Sequence, residues 1–554
     1  LVTPFEADLD GFRKIPGNPL AYWASSNVIA GFQNRKLGEI GMTRRGLQTG
    51  DKSRFIRNWH ECANQSIEWN VLNKEQVPES DAKWFMFNNG GDFRKWYGNL
   101  DLVVNWASDG KEIKATGKAI IPSENLYFKN AICWPRLTVG RLGFRLHPEG
   151  VIPGDLSPCL YAEDTEYLLA YLNSTCADHM LSIINPTVTS PVGDVAKIPV
   201  PILGAADRAI VLENAKELIE TYRKDWDSSE TSWGFDRLSW ITSSSTRPTI
   251  FGAWQTWATG CCEKILNVRS LEEANNLIFI VAYGLQDELS PEVPEDQITL
   301  THADREKDSQ RLISYAIGCM MGRYSLDDPG LIYAHSGNVG FDPTRYKTFP
   351  ADPDGIVPLT DDLWFEDDAA NRVREFLLAV WGAETLEENM TWLAESLGTK
   401  GTETPDETIR RYLASSFFKD HLQTYKKRPI YWLFSSGKQG AFQALVYLHR
   451  YNESTLARMC AEYVVPLTGK IQSRIEMLEK DAESASTAAR NKLGKEIEKL
   501  RKKHVELLAY DEKLRHYADM RIQIDLDDGV KVNYGRFGDL LADVKAVTGG
   551  AGDD

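Results

Sequence analysis

The chain has 554 residues and a net charge of −16 at pH 7, and 42% of its residues are hydrophobic. Such a length exceeds a single hydrophobic core and predicts about three or four domains. No apolar run approaches the roughly 20 residues that cross a bilayer. The first residues, LVTPFEADLD, lack the basic and apolar parts of a signal peptide, so we expect a cytoplasmic protein that does not bind membranes.

The negative charge is concentrated in one part of the chain. Residues 281–410 carry 26 Asp or Glu against ten Lys or Arg. Basic residues are instead in excess at residues 1–60, by nine to five, and at residues 83–146, by ten to five. The N-terminal third is therefore the part suited to a polyanionic partner.

The first 200 residues alternate short β-branched and aromatic runs with turn residues. DLVVNW at 101–106 is typical of a strand, and NNGGD at 88–92 is typical of a turn. Residues 165–184 place their apolar side chains on one helical face, and VAKIPVPIL at 195–203 predicts an extended segment. The overall prediction is an α+β fold that begins with a mixed α/β domain at residues 1–205.

The next two regions are predicted to be mainly helical. Residues 206–245 form a connector, with a helix predicted at 205–226 and a linker rich in Ser, Thr and Pro at 241–250. Residues 246–420 form an acidic helical domain, which a segment rich in Pro, Gly and Asp interrupts between 325 and 363.

Residues 421–554 are predicted to form a C-terminal helical region with a long helical hairpin. An apolar stripe runs from Ile471 to Leu514 but lacks large apolar residues at 481–491. Two antiparallel helices joined near 482–488 would account for that gap.

The stretch RRGLQTGDKSRFIR, residues 44–57, concentrates five basic residues around two glycines in an acidic chain. Gly46 and Gly50 can adopt positive φ, which predicts a tight turn. A turn ringed by cations is suited to phosphate or to a base edge. The alternative is that the last two arginines of the stretch pair with local carboxylates such as Asp51 and Glu61.

Known catalytic motifs are missing from the sequence. SSGKQG at 435–440 is not a P-loop, because Trp432 and Gln439 stand where that motif needs Gly and Ser or Thr. There is no HExxH or GxSxG motif. The eight cysteines show no zinc-binding spacing, so free buried thiols are expected and no metal site is predicted. Aspartate pairs in the acidic region are interpreted as a solvated face rather than Mg²⁺ ligands.

The sequence also lacks the (Asn/Asp/Ser)-Pro-Pro-(Tyr/Phe) motif of adenine and cytosine amino-methyltransferases. Asn18-Pro19-Leu20 and Asn185-Pro186-Thr187 are the nearest tripeptides, and neither fits. We therefore predict no catalytic or cofactor-binding residue in this chain.

A series of segments occurs here in an order that is typical of one protein family. The segments are IPGNPLAYW (15–23), GLQTGDKSRFIRNWHE (46–61), WFMFNNGGDFRKWYGN (84–99), VVNWASDG (103–110), YFKNAICW (127–134), LLAYLNS (168–174), INPTVTSPVGDVAKIPVP (184–201), DWDSSETSW (225–233), KRPIYWLFSSGKQGAFQALVYLHRY (427–451) and IDLDDGVKVNYGRFGDLLADV (524–544). Together they resemble the C-terminal half of the PglX family, the adenine-specific DNA methyltransferases of BREX phage-defence systems.

The resemblance implies a division of labour. In that family an N-terminal domain binds S-adenosylmethionine and carries the Asn-Pro-Pro-Tyr motif, and a target-recognition domain follows it. Residues 1–205 would then be the DNA target-recognition domain, and the cofactor would belong to a catalytic domain absent from this chain. The implied partners are double-stranded DNA, the N-terminal methyltransferase domain and other BREX proteins.

Two loops and one arginine series supply the predicted DNA contacts. GGDFRKWYGN at 90–99 combines turn glycines with cations and flat aromatic rings, although Trp96 is equally suited to a core. The predicted DNA-binding residues are Arg44, Arg45, Gly46, Gln48, Thr49, Gly50, Lys52, Arg54, Arg94, Lys95, Trp96, Tyr97, Arg136, Arg141 and Arg145.

Three functions are compatible with these observations to different degrees. The first is sequence recognition for N6-adenine methylation, in which duplex DNA is held while the catalytic domain flips out the adenine. The second is a scaffold in which residues 250–554 mainly dock other phage-defence proteins, since their acidity would repel DNA and the apolar stripe offers either a helical partner surface or packing within the chain. The third, an independent nuclease, lacks a metal-binding carboxylate constellation.

Overall fold

The computed structural model describes residues 13–138, 140–241 and 249–549. Its contacts group the chain into two compact units. The first unit comprises the chain up to Trp59, Gln65–Trp233 and Thr259–His302. The second unit comprises His60–Asn64, Gly234–Ala258 and the chain from Ala303. Most of the predicted linker, residues 242–248, lies outside the described residues, and the four functional domains stay a prediction.

The first unit contains two sheets of short strands. The antiparallel sheet has the order β1 (Met42–Arg44), β9 (Cys159–Tyr161), β6 (Ala131–Cys133) and β7 (Arg145–His147). The mixed sheet has the order β2 (Ile56–Asn58), β5 (Leu102–Asn105), β4 (Trp84–Asn88) and β3 (Ile67–Glu68), with β8 (Ile152–Pro153) also paired to β4. The strand expected within DLVVNW is β5.

The mixed sheet is stabilised mainly by burial of aromatic and β-branched residues. Every residue of β4 is buried, as expected of a central strand without polar alternation. Phe85 and Phe87 pack in one cluster with Val104 of β5 and with Trp106. Burying each of these side chains contributes on the order of 2 kcal/mol.

The first unit also contains helices, which precede, separate and follow these strands along the chain. They are Ser26–Gly31, Leu37–Ile40, Lys52–Phe55, Ala107–Ala115, Thr165–Leu172, Thr175–Ile184, Val192–Val195, Ala205–Asp227 and the part of Ile250–Tyr283 that follows Ala258. The helical face expected at 165–184 is divided in two because Ser174 caps the second helix, its side chain accepting a hydrogen bond from Ala177 N.

The second unit contains a sheet that the sequence analysis did not predict. Its antiparallel order is β10 (Ile356–Pro358), β12 (Gln443–Tyr447) and β11 (Tyr431–Ser435). Two apolar runs on either side of a turn containing Gly437 and Gly440 are typical of a β-hairpin. That pattern was present in the sequence, but the surrounding helical periodicity obscured it.

Helices form the rest of the second unit. They are Arg305–Met320, Ala369–Trp381, Leu386–Ser396, Pro405–Ser415, Phe417–Thr424, Thr455–Arg458, Val465–Ser484, Thr487–Asp519, Gly529–Gly535 and Val544–Thr548, with the beginning of Ile250–Tyr283. The predicted helical hairpin is confirmed, since Val465–Ser484 and Thr487–Asp519 pack together and only two residues join them. The α+β class is likewise confirmed.

Among the described residues, no helix combines the length and the apolar character that a membrane crossing requires.

Candidate functional site

The loop at residues 45–51, here called the recognition loop, connects β1 to the helix Lys52–Phe55. Backbone hydrogen bonds join this loop to two other segments of the chain, at Pro153–Asp155 and at Ile120. Leu47 N donates to Pro153 O at 2.7 Å and Leu47 O accepts from Asp155 N at 3.0 Å. Gln48 and Ile120 exchange backbone hydrogen bonds of 3.0 and 2.9 Å. The loop is therefore held in one conformation before any ligand binds.

The two glycines of the recognition loop are needed for different reasons. Gly50 has a φ of +78°, as the sequence predicted. Gly46 is not at positive φ, and the prediction for it was wrong in this respect. A Cβ on Gly46 would lie 2.3 Å from the carbonyl oxygen of Pro153, so close packing excludes any side chain there.

Two of the predicted arginines meet on one carboxylate. Arg45 donates to Oδ1 of Asp155 through Nη2 at 2.7 Å and Nε at 3.1 Å. Arg136 donates to Oδ2 of the same residue at 2.7 Å. Both arginines remain partly exposed, with 45% and 38% of the side chain accessible. Asp155 thus sets their positions without covering them.

Other cations lie around the same loop. Arg44 is exposed, and its guanidinium donates to the carbonyl of Thr43 at 2.9 Å. Lys52 is exposed and forms no ion pair with another described residue. Arg54 forms an exposed pair with Glu112 at 3.3 Å.

Lys118 belongs to this group, and the sequence analysis missed it. Lys118 is exposed, and a Cβ added to Gly50 would lie 2.8 Å from the Cβ of Lys118. No sequence motif joins it to the loop; only the pairing of Gln48 with Ile120 brings the two segments together. We call Arg44, Arg45, Lys52, Arg54, Lys118 and Arg136 the basic cluster.

The Asp51 carboxylate accepts hydrogen bonds from the next helical turn and does not pair with the side chain of any described arginine. Its carboxylate caps the helix Lys52–Phe55 by accepting from Arg54 N at 3.1 Å and from the Ser53 hydroxyl at 2.8 Å. These hydrogen bonds to Ser53 and Arg54 lower the pKa of Asp51. The cap fixes where the loop ends and the short helix begins.

The second predicted loop is anchored inside the first unit. Lys95 and Trp96 are each 1% exposed. Lys95 Nζ forms an ion pair with Glu272, and Trp96 Nε1 donates to the other carboxylate oxygen at 2.7 Å. Burial lowers the pKa of Lys95 despite the opposing effect of Glu272. In the described fold these two side chains are therefore inaccessible to DNA.

Four further predicted residues are also engaged within the first unit. Arg94 donates to Thr299 O at 3.3 Å, and Tyr97 is 7% exposed with Arg223 over its ring. Arg141 donates to Asn173 O at 3.1 Å. Arg145 is fully buried and donates to Gly90 O at 3.3 Å. The residues of the recognition loop and Arg136 come together, whereas the 90–99 loop, Arg141 and Arg145 serve packing.

A cavity of about 210 Å³ opens beside the recognition loop. Gln48, Thr49 and Lys52 line one side of it, and Phe87 and Asp155 line another. Of the basic cluster, Lys52 lines this recess, whose walls are both apolar and hydrogen-bonding.

The Gly-Lys turn of the second unit binds a carboxylate of the protein itself. Glu506 accepts hydrogen bonds from Ser436 Oγ at 2.7 Å, Gln439 N at 2.7 Å and Ala441 N at 3.2 Å. The backbone amides that a phosphate would need are already occupied. This geometry agrees with the exclusion of a P-loop on sequence grounds.

Comparison with known proteins gives strong similarity along nearly the whole chain. It is 41% identical over 570 residues to the adenine-specific methyltransferase BrxX of Escherichia coli O9:H4 (strain HS), and 39% identical over 558 residues to the adenine-specific methyltransferase PglX of Lacticaseibacillus casei (strain Zhang). These alignments cover 98% and 97% of this chain but 46% and 45% of the relatives. The chain therefore spans about half the length of the curated relatives it matches. No protein-family model matches it.

Proposed function

We propose that this chain is the DNA-recognition part, from the C-terminal half, of a BREX-type adenine-specific DNA methyltransferase, and that it holds duplex DNA through the basic cluster. The observation that carries the proposal is the fixed recognition loop, with six cations around it in a chain that is acidic overall. Similarity to two adenine-specific methyltransferases supports DNA as the polyanion.

The electrostatics of the cluster favour phosphate. The ion pairs of its six cations with described residues are those with Glu112 and Asp155, and Asp51 caps the adjoining helix, so a positive excess remains. Each cation that neutralises a DNA phosphate releases condensed counterions, which makes affinity fall steeply with salt. Gln48 is exposed in the recognition loop and can reach a base edge, where an amide reads adenine through two hydrogen bonds.

Methyl transfer is assigned to another part of the enzyme. The chain has no (Asn/Asp/Ser)-Pro-Pro-(Tyr/Phe) motif to hold the target adenine. An N-terminal methyltransferase domain would supply that motif together with S-adenosylmethionine as the methyl donor. The contribution of this chain is to bind and orient the duplex.

The test is a binding titration of the purified chain with labelled duplex DNA at about 50 and 200 mM salt. We expect binding that weakens steeply between the two concentrations. The double substitution Arg44→Gln and Lys52→Gln should weaken binding and reduce the slope of log affinity against log salt by about 1.8, which is roughly 0.9 for each lost contact. No binding at the lower salt concentration would overturn the proposal.

A matched control removes two positive charges elsewhere. Lys480 and Lys492 are exposed on the helical hairpin of the second unit. Their substitution by Gln changes the net charge equally and should leave the salt slope unchanged. An equal loss of affinity in this control would assign binding to net charge rather than to the basic cluster.

The scaffold function is the second candidate. Burial of the apolar stripe reduces the surface through which the chain could dock a partner. Ile471, Ile475 and Leu478 of the apolar stripe are buried, as are Leu507 and Leu514. These residues of the stripe are used in packing the helical hairpin. The remaining support is the acidity of residues 281–410. This function would predict capture of a basic protein surface by the chain in the absence of DNA binding.

A further inference from the structure

The cavity beside the recognition loop has rigid walls of mixed chemistry. One wall is the loop itself, fixed by its backbone bonds to Pro153 and Asp155. Another is the end of β4, where Phe87 pairs in register with Ile152 of β8. Because strand pairing and backbone hydrogen bonds set both walls, the shape of the cavity is formed before a ligand arrives.

The Thr49 hydroxyl lies behind the cavity wall. Thr49 is 3% exposed, and its hydroxyl forms no hydrogen bond with any described residue. The hydroxyl oxygen is itself buried, so a ligand atom in the cavity does not reach it. Thr49 therefore shapes the wall, and hydrogen bonds to a ligand must come from other side chains.

Other polar side chains face the same space. Gln48 is exposed at its edge and forms no side-chain hydrogen bond with a described residue. Asn89 uses its Oδ1 to accept from Leu156 N at 3.3 Å, which leaves its amide NH₂ group available. Asp155 uses one carboxylate oxygen for each arginine and keeps further lone pairs. The lining thus offers both donors and acceptors.

The apolar part of the lining suits a flat ring. Leu47, Phe87 and Leu156 contribute carbon surface, and a buried aromatic wall favours stacking or edge contact with another ring. The volume of about 210 Å³ is below the roughly 300–1,000 Å³ of pockets for drug-sized ligands. It suits one heterocyclic ring system rather than a whole nucleotide.

We propose that this cavity binds a single nucleobase turned out of the DNA stack. The base lies against Phe87, its polar edge bonds to Gln48 and Asn89, and the adjoining phosphates lie on Lys52 and Arg45. A phosphate inside the cavity is disfavoured by the Asp155 carboxylate and the apolar walls. This inference rests on the proposed DNA-binding function, and it adds a pocket for an unstacked base that belongs to this chain itself.

The experiment uses free deoxynucleosides, so it does not depend on knowing the recognised sequence. Deoxyadenosine, deoxyguanosine, deoxycytidine and thymidine are each titrated against the full chain by saturation-transfer NMR. We expect at least one of them to receive saturation on its base protons more strongly than on its sugar protons. Gln48→Ala, at an exposed position, should weaken that binding about 3- to 10-fold, as expected for loss of one hydrogen bond. Asn89→Asp keeps the acceptor for Leu156 N, removes the amide NH₂ group and should weaken binding to a similar extent.

Two measurements separate the base pocket from a structural cavity. Thr49→Val keeps the shape of the cavity wall and removes a hydroxyl that a ligand does not reach, so it should leave nucleoside binding unchanged. Thr43→Val, in β1 and outside the cavity, should also leave nucleoside binding unchanged. Absence of binding by all four nucleosides, or unchanged binding in both Gln48→Ala and Asn89→Asp, would overturn the pocket and assign it to water only.

Failure of this inference and failure of the proposed function give different results. Duplex binding with a steep salt slope but no nucleoside binding would overturn the base pocket alone. Nucleoside binding that depends on Gln48 and Asn89, without any duplex binding, would overturn the proposed function and leave a nucleoside site.

Discussion

Lys95 forms a buried ion pair with Glu272, and neither side chain is more than 5% exposed. This pair joins the 90–99 loop to the helix Ile250–Tyr283 across 177 positions of the chain. Glu272→Gln would leave an unpaired charge in the interior. We expect it to lower the free energy of unfolding by about 3–5 kcal/mol, measured by urea denaturation.

A second variant tests the reason for that loss. Gln at position 272 can still accept from Trp96 Nε1, so the double substitution Lys95→Met and Glu272→Gln keeps that hydrogen bond and removes both charges. Its stability should exceed that of Glu272→Gln alone. A single variant as stable as the wild type would mean that the pair is not buried in solution.

Arg44 and Arg45 are adjacent, but we expect their substitutions to have different effects. Arg44 bonds only to the neighbouring carbonyl of Thr43 among the described residues, so Arg44→Ala should leave stability unchanged. If Arg44 binds phosphate, all duplexes should lose affinity equally and the salt slope should fall by about 0.9. If it binds guanine, discrimination at one base pair should fall by about 1–3 kcal/mol.

Arg45→Ala should also disturb the protein itself. It removes one of the two arginines on Asp155, whose side chain is only 16% exposed. A small loss of thermal stability should therefore accompany the loss of DNA affinity. The pair of variants is compared by duplex binding at several salt concentrations, with a complex that includes the catalytic domain for site choice. Unchanged affinity, slope and site choice in both would make the loop a structural turn.

Gly46→Ala tests whether the loop conformation matters for binding. The added methyl group would lie 2.3 Å from Pro153 O, and backbone cannot yield without moving the loop. We expect a lower melting temperature together with weaker duplex binding, both measured on the same preparation. Gly193→Ala is the control, since no atom lies within 4 Å of its added Cβ. Equal behaviour of the two variants would contradict the close approach.

Local patterns predicted the helices better than the sheets. The hairpin of Val465–Ser484 and Thr487–Asp519 follows from a stripe and a gap in the sequence, because helix packing depends on residues three or four apart. The connector helix, expected at 205–226, is observed as Ala205–Asp227. The pairing of β10 with β12 joins residues more than 80 positions apart, and no local periodicity carries that information.

The residues of the candidate site also fall into those that local sequence predicts and those that only tertiary contacts bring together. The sequence predicted the cations and glycines of the recognition loop, because residue type alone indicates charge and turn formation. It could not place Lys118 or Asn89 beside that loop, since β-bridges to distant segments bring them there. It also could not distinguish Arg45 from Arg145, two arginines in basic segments of which one is partly exposed and the other fully buried. Burial depends on tertiary packing, which composition does not encode.

His421 makes the stability of the second unit depend on pH. Its Nε2 accepts hydrogen bonds from the backbone N–H groups of Ile430 and Tyr431, both at 3.1 Å, so the ring is neutral. Burial, with a contribution from the charge of Arg323, lowers the pKa of His421 to about 3. The ordinary value of about 6.5 applies in the unfolded chain.

The unfolded chain therefore binds a proton that the folded chain does not, and stability is lost as the pH falls from about 6.5 towards 3. His421→Gln offers a carbonyl that can accept from the same two N–H groups but does not titrate. We expect this variant to be less stable than the wild type near neutral pH. As the pH falls from roughly 6 to 4, the free energy of unfolding should fall less steeply in the variant than in the wild type. The two slopes should differ by about 1.4 kcal/mol per pH unit. The exposed His302→Gln is the control, and urea denaturation across this range gives the slopes. Parallel slopes in wild type and His421→Gln would show that His421 is protonated in the folded protein.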